Sequence, residues 1–175
     1  MSVKHKENVK NSFKCAVLTI STSRYEKYGS ADRPERAEDA SGKLIWGMMH
    51  VRGCEIVHYE LVPDNLEMIK EAFKKVIYSD ADIIISSGGT GLSPSDVTIE
   101  AVNPFFEKEI PGFGELFRYK SLEQVGNSVM LTRAVAGVAR GKVIFCLPGS
   151  PNAVKLAMEL ILPEMGHFVK HIRGE

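Results

Sequence analysis

The chain has 175 residues, and 44% of them are hydrophobic, enough for the core of one domain. Lys+Arg and Asp+Glu both number 22, giving a formal charge of +0, which argues against a nucleic-acid partner because such surfaces are basic. No apolar run approaches the ~20 residues that span a bilayer, and the polar, lysine-rich residues 1–12 lack a signal-peptide core, so they read as a flexible tail on a cytoplasmic protein with no membrane partner.

Residues 13–21 form an apolar, β-rich run ending in hydroxyls, the pattern of a strand buried on both faces. The polar residues 22–34 read as a long surface loop. A helix is predicted over 35–51. Ala37, Ala40, Leu44, Met48 and Val51 would make its apolar face, Glu38 and Asp39 would face solvent at its head, and Gly53 would stop it. Trp46, Met48 and Met49 read as core or subunit-contact residues. Residues 55–62 suit a second strand, and Pro63-Asp64-Asn65 breaks it. Either Asp64 or Asn65 can cap the helix predicted over 66–78, whose apolar side is Leu66, Ile69, Phe73, Val76 and Ile77.

A third strand, beginning near Asp82, runs into Ser86-Ser87-Gly88-Gly89-Thr90-Gly91-Leu92-Ser93-Pro94-Ser95-Asp96. A helix is predicted over 95–108, kinked or ended by Pro104. Residues 110–114 are turn-rich, 115–125 suit a helix, and 129–132 form a weak apolar patch. Strands are predicted over 134–140 and 142–147 about a turn at Gly141. In Pro148-Gly149-Ser150-Pro151, Ser150 suits an N-cap and Pro151 a first helical position. The last helix runs from Asn152 towards Ile172, interrupted at Pro163. Alternating strands and helices predict an α/β fold: a three-layer, mostly parallel sheet with helices on both faces, in a single domain over 13–175. In such sheets ligands sit beyond the carboxyl ends of the strands. Four polar segments follow predicted strands there: 21–23, 63–65, 86–96 and 148–151.

The glycine loop has two readings, a cradle of backbone N–H groups for an anion or a tight turn that needs glycine. It is neither a P-loop, lacking the Gly-Lys-Ser/Thr ending, nor a G-x-G-x-x-G fingerprint. Asp96 either caps a helix, as Ser93-x-x-Asp96 allows, or helps hold Mg²⁺ on substrate phosphates; Asp64 poses the same choice. Ser150 marks either a second anion site or an ordinary capped helix. Cys15, Cys54 and Cys146 read as buried free thiols without zinc-ligand spacing. His167 and His171 lack a metalloprotease glutamate and read as surface residues.

Taken together, several motifs resemble the MoaB/MogA family of molybdenum cofactor biosynthesis proteins, which includes the gephyrin G domain. They are Ser86-Ser87-Gly88-Gly89-Thr90-Gly91 with Ser95-Asp96-Val97-Thr98, Val62-Pro63-Asp64, Ile110-Pro111-Gly112-Phe113-Gly114-Glu115, and Leu147-Pro148-Gly149-Ser150-Pro151. They stand in family order across residues 13–172, and the length resembles the MoaB branch. The resemblance implies a molybdopterin-binding fold and the transfer of AMP from Mg-ATP to molybdopterin with release of pyrophosphate. It assigns Asp64 and Asp96 to catalysis and Mg²⁺. It assigns Ser87, Gly88, Gly89, Thr90, Gly91 and Ser93, with Pro148, Gly149 and Ser150, to binding the pterin and its phosphate. Ser95 departs from the pattern, standing where many members carry a basic residue. The alternatives are a non-catalytic molybdopterin carrier or scaffold and, further off, an unrelated phosphate-sugar-binding module. The resemblance and the apolar residues on the predicted helices together imply a homotrimer or homohexamer, and a downstream metal-insertion protein as a further partner.

Overall fold

Strict alternation along three central strands determines the layers. In β1 (Lys14–Ile20), Cys15 and Val17 enter one core while Ala16, Leu18 and Ile20 enter the other. In β3 (Ile83–Ser87), Ile83 and Ile85 oppose Ile84 in the same way, and in β6 (Lys142–Leu147) Val143, Phe145 and Leu147 oppose Ile144 and Cys146. A period of two with both faces apolar requires cover on both sides. The computed structural model describes residues 12–175, so the predicted tail lies outside the described residues except for Ser12.

One face is covered by α2 (Ala40–Val51), α5 (Pro111–Val125), α6 (Pro151–Ile161) and α7 (Met165–Arg173); the other by α3 (Leu66–Ile77) and α4 (Thr98–Val102). The sheet has six strands in the order β2-β1-β3-β6-β5-β4, with β2 at Glu55–Val62, β4 at Lys108–Glu109 and β5 at Val135–Ala139. Strands β2, β1, β3 and β6 pair in parallel; β5 is antiparallel to both β6 and β4. Arg140 and Gly141, both at positive φ (49° and 73°), form the two-residue turn of the β5–β6 hairpin. After β1 the chain adds β2 on one side of it, and from β3 onwards every strand lies on the other side, so the order reverses between β1 and β3. A crevice at such a reversal is where open sheets bind ligands.

Several predicted boundaries shift. The loop expected over 22–34 contains α1 (Thr22–Tyr28), started by the Ser21 side chain as N-cap. The helix expected over 35–51 is divided: Pro34–Ala37 is a 3-10 turn, Glu38 takes a left-handed φ of 46°, and Asp39 caps α2. That break rephases the helix, so its buried face is Ser41, Gly42, Ile45 and Met49, while Val51 is 85% exposed. Leu44, Trp46 and Met48 are half-buried at the margin of this face. The helix expected from Ser95 starts at Thr98, because residues 93–96 close their own turn through Asp96 N–H donating to Ser93 O at 2.9 Å. The 110–114 segment is mostly helical: Pro111 begins α5, as its fixed φ permits. Pro163 sits in a 3-10 turn between α6 and α7. All three cysteines are free and buried; burial pushes the Cys146 thiol up to about 12, leaving it unreactive at neutral pH.

Asn65, not Asp64, caps α3, its side chain accepting from Met68 N–H at 3.0 Å. Substituting Asn65 by Ala is expected to lower the unfolding free energy by about 1 kcal/mol in urea titrations. An unchanged midpoint would show that the cap contributes nothing.

Candidate functional site

Three of the strand ends meet at one glycine. Gly88 leaves β3 at φ 97°, and its N–H donates to Leu147 O at 3.0 Å, tying the end of β3 to that of β6. A Cβ on Gly88 would collide with the carbonyl oxygen of Ile20 at the end of β1. A Cβ on Gly149, in the loop after β6, would lie 3.2 Å from the Gly88 Cα. Thr98 closes the loop from behind: its hydroxyl donates to Gly88 O and its N–H to Gly89 O, both at 3.0 Å. Ser41 of α2 donates to Gly149 O at 2.7 Å, fixing the second loop.

Beyond Gly88 the loop presents donors. Among the described residues, no protein acceptor meets the N–H groups of Gly89, Thr90, Gly91 and Leu92. A run of free N–H groups is an anion-binding concavity. Arg133, just before β5, holds the back of this loop. Its Nε donates to Thr90 O (3.2 Å) and Gly91 O (3.0 Å), and its Nη2 to Asp96 O (3.1 Å). Its Nη1 pairs with Glu100 at 2.5 Å, and this guanidinium holds the Glu100 carboxyl below the usual range.

Both predicted aspartates flank the loop. Asp64 Oδ2 accepts from the Thr22 N–H (3.0 Å) and hydroxyl (2.8 Å), while Oδ1 lies 3.0 Å from where a Gly89 Cβ would stand. Asp96 Oδ2 accepts from Ser93 N–H at 2.9 Å and lies 2.7 Å from a Cβ position on Gly91. Neither carboxylate caps a helix: Asn65 caps α3, and α4 has Val97 at its N-cap position with no side-chain cap. The Oδ1 atoms of both have no hydrogen-bond donor among the described residues. The four loops after β1, β2, β3 and β6 are thus contiguous.

The remaining predicted residues differ in accessibility. Ser93 is exposed, its hydroxyl 3.0 Å from that of Ser95. Ser87 is 1% exposed with no partner for its hydroxyl among the described residues. Ser150 is the N-cap of α6, accepting from Ala153 N–H at 3.3 Å, with Pro151 at the first helical position and Pro148 half-buried beside it. His167 and His171 line a groove of about 550 Å³ between α7 and the paired strands β4 and β5, away from the glycine loop. No cluster of three or more His, Cys, Asp or Glu able to hold a metal occurs among the described residues.

Residues 16–167 match the model of a family described as a probable molybdopterin binding domain. The chain belongs to that family. It is 43% identical over 172 residues to molybdenum cofactor biosynthesis protein B of Bacillus cereus, covering 96% of each chain. It is 43% identical over 173 residues to the molybdopterin adenylyltransferase of Pyrococcus furiosus, covering 97% of this chain and 96% of that one. The crystal structure of the tungsten cofactor synthesizing protein MoaB from Pyrococcus furiosus superposes with a TM-score of 0.83 at 41% identity, over 94% of this chain and 99% of that one.

Two residues of this molybdopterin-binding domain escaped the sequence reading. Asp39, expected on a solvated face, is 1% exposed. It accepts from the Thr19 hydroxyl (2.6 Å), the Tyr59 hydroxyl (2.8 Å) and Gly42 N–H (2.9 Å), joining β1, β2 and α2 below the crevice. Burial, then the Asp39 charge, raises the Tyr59 phenol above its ordinary value, so it stays a donor. The available signal was the residue type alone, since a short acid just before a helical apolar pattern is a preferred N-cap. Arg133 had no local signal, because its partners lie 33–43 positions away.

Gly88→Ala combines a positive φ with a clash against backbone and is expected to cost about 2 kcal/mol or more. Gly112→Ala in α5, with open space around it, is expected to be neutral or stabilising by about 1 kcal/mol. Chemical denaturation of both variants checks the contrast.

Proposed function

We propose that this chain is a molybdopterin adenylyltransferase, transferring AMP from Mg-ATP to molybdopterin with release of pyrophosphate. The observation that carries the reading is the pair of carboxylates, Asp64 and Asp96, flanking one glycine loop, neither engaged in a helix cap. A molybdopterin carrier needs the anion loop but not both acids, so the pair favours catalysis over the carrier reading. The relative named molybdopterin adenylyltransferase supports the same choice.

The chemistry is phosphoryl-group transfer by positioning, which needs alignment and electrostatics more than a protein nucleophile. The molybdopterin phosphate attacks the α-phosphorus of ATP; the new P–O bond forms as the bond to pyrophosphate breaks. The N–H groups of residues 89–92 and the start of α6 at Ser150 hold the anionic groups of the two substrates. The free Oδ1 atoms of Asp64 and Asp96 suit Mg²⁺, which takes one or two carboxylates alongside phosphate oxygens and water. Bound there, Mg²⁺ neutralises charge on the triphosphate. Thr22 fixes the rotamer of Asp64, and the Ser93–Asp96 turn fixes that of Asp96. The reaction is read as cytoplasmic, and its product would pass to a downstream metal-insertion protein.

Asp64→Asn and Asp96→Asn are each expected to abolish turnover, assayed as adenylylated molybdopterin, while calorimetry still shows molybdopterin binding. Wild-type turnover in both variants would remove the metal assignment; absent molybdopterin binding by the wild-type chain would remove the whole reading.

The assembly is proposed to be a homotrimer or homohexamer. The support is an apolar surface formed by Leu116, Tyr119, Leu122 and Val125 of α5 with Met130 and Leu131 just after it, all exposed in the single chain. Sedimentation is expected to give three or six copies, and a monomer at micromolar concentration would contradict it.

A further inference from the structure

We propose that Arg133 is a positioning residue for this site. Its guanidinium orients the peptide planes of the glycine loop so that the N–H groups of Gly91 and Leu92 are presented to the anionic substrate. The peptide unit is planar and trans, so a carbonyl and the following N–H point in opposite directions. Arg133 draws the Thr90 and Gly91 carbonyls towards itself, at 3.2 and 3.0 Å. The N–H groups of Gly91 and Leu92, which belong to those same two peptides, therefore point away from it. They are also two of the N–H groups with no protein acceptor among the described residues. The third carbonyl, that of Asp96 at 3.1 Å, ties the far end of the loop to the same cation.

Most of the guanidinium's donors already have protein acceptors. Nε and Nη2 donate to the three carbonyls, and Nη1 and the remaining reach of Nη2 go to the Glu100 carboxylate at 2.5 and 3.4 Å. The side chain is 28% exposed, held between the loop and α4. Its backbone is anchored too: the next residue, Ala134, is buried, and β5 begins immediately after it in register with β6. Lysine does not reproduce this arrangement. Its ammonium is a point charge, whereas the planar fork addresses carbonyls at both ends of the loop at once.

The consequence for turnover rests on the adenylyl-transfer reading; the loop geometry does not. The test uses Arg133→Met, Arg133→Lys and, as control, Glu100→Gln, which leaves the carbonyl contacts in place. Hydrogen exchange is followed in the unliganded chain at three bonded amides of the loop: Ser93, Asp96 and Thr98. In Arg133→Met these amides are expected to exchange at least about tenfold faster, and in Arg133→Lys to an intermediate degree. With Mg-ATP and molybdopterin, kcat is expected to fall about 100-fold in Arg133→Met, as for a site misplaced by an ångström. Glu100→Gln is expected to change either readout by less than about fivefold, the scale of an exposed ion pair. Wild-type exchange in both Arg133 variants overturns the positioning role whatever the turnover. Fast exchange with kcat near wild type overturns its catalytic consequence. Wild-type behaviour of Arg133→Lys alone overturns the requirement for the fork. A wild-type chain without turnover refutes the proposed function, and the exchange comparison still decides the role of Arg133 in the loop.

Discussion

The site depends on one close approach of backbone to backbone. Gly88 lies against the Ile20 carbonyl on one side and within 3.2 Å of a Gly149 Cβ position on the other, with no room for a side chain. The three parallel strands that end here belong to different stretches of the chain, and their register is set far below by Ile83↔Val143 and Cys15↔Ile83. Any side chain at Gly88 would separate the loop of β3 from the end of β1. The neighbouring loops would then lose their common edge, because Asp64, which lies beside Gly89, is oriented by Thr22, the first residue beyond Ser21, which follows β1. The glycine is therefore a packing requirement first, and the exposed N–H groups beyond it follow from the same turn.

The floor beneath that edge is polar by construction. Asp39 is a buried carboxylate with three donors from three elements, so it joins β1, β2 and α2 through charge-assisted bonds that leave none of those donors unpaired. Removing the carboxylate would strand two hydroxyls and an amide. Asp39 also begins α2, whose Ser41 holds the second glycine loop. One residue thus connects the sheet to the loop after β6 without facing the crevice.

Much of this architecture was legible because the strands advertise themselves. Residues 55–62 and 142–147 are strands at the predicted limits, and the α/β class followed from alternation alone. The helix limits were less legible where local chemistry competes. The periodicity of residues 35–51 suggested one helix, but the left-handed Glu38 and the buried Asp39 break it, and neither can be read from apolar spacing. Residues 93–96 satisfied a capping pattern yet form a separate turn, since Asp96 satisfies the Ser93 N–H in its own turn rather than the first turn of α4. The glycine loop and the two aspartates were legible as motifs, but their juxtaposition is a tertiary fact. Arg133 was illegible altogether, since an arginine before an apolar strand has no distinctive pattern.

The charge balance around the loop explains why its cations come from outside its own sequence. Asp64, Asp96 and Glu100 surround a loop whose own residues, 86–96, include no lysine or arginine. Of the three acids, Glu100 alone is neutralised by Arg133; Asp64 and Asp96 each meet only hydroxyl and N–H donors. Partial charges of free N–H groups attract a phosphate, while two unpaired carboxylates nearby repel it. On the proposed function, a polyanionic substrate would enter favourably together with a divalent cation that those carboxylates accept. Under the adenylyl-transfer reading this couples nucleotide binding to the metal, and the discrimination resides in the acids rather than in a lysine or arginine on the loop.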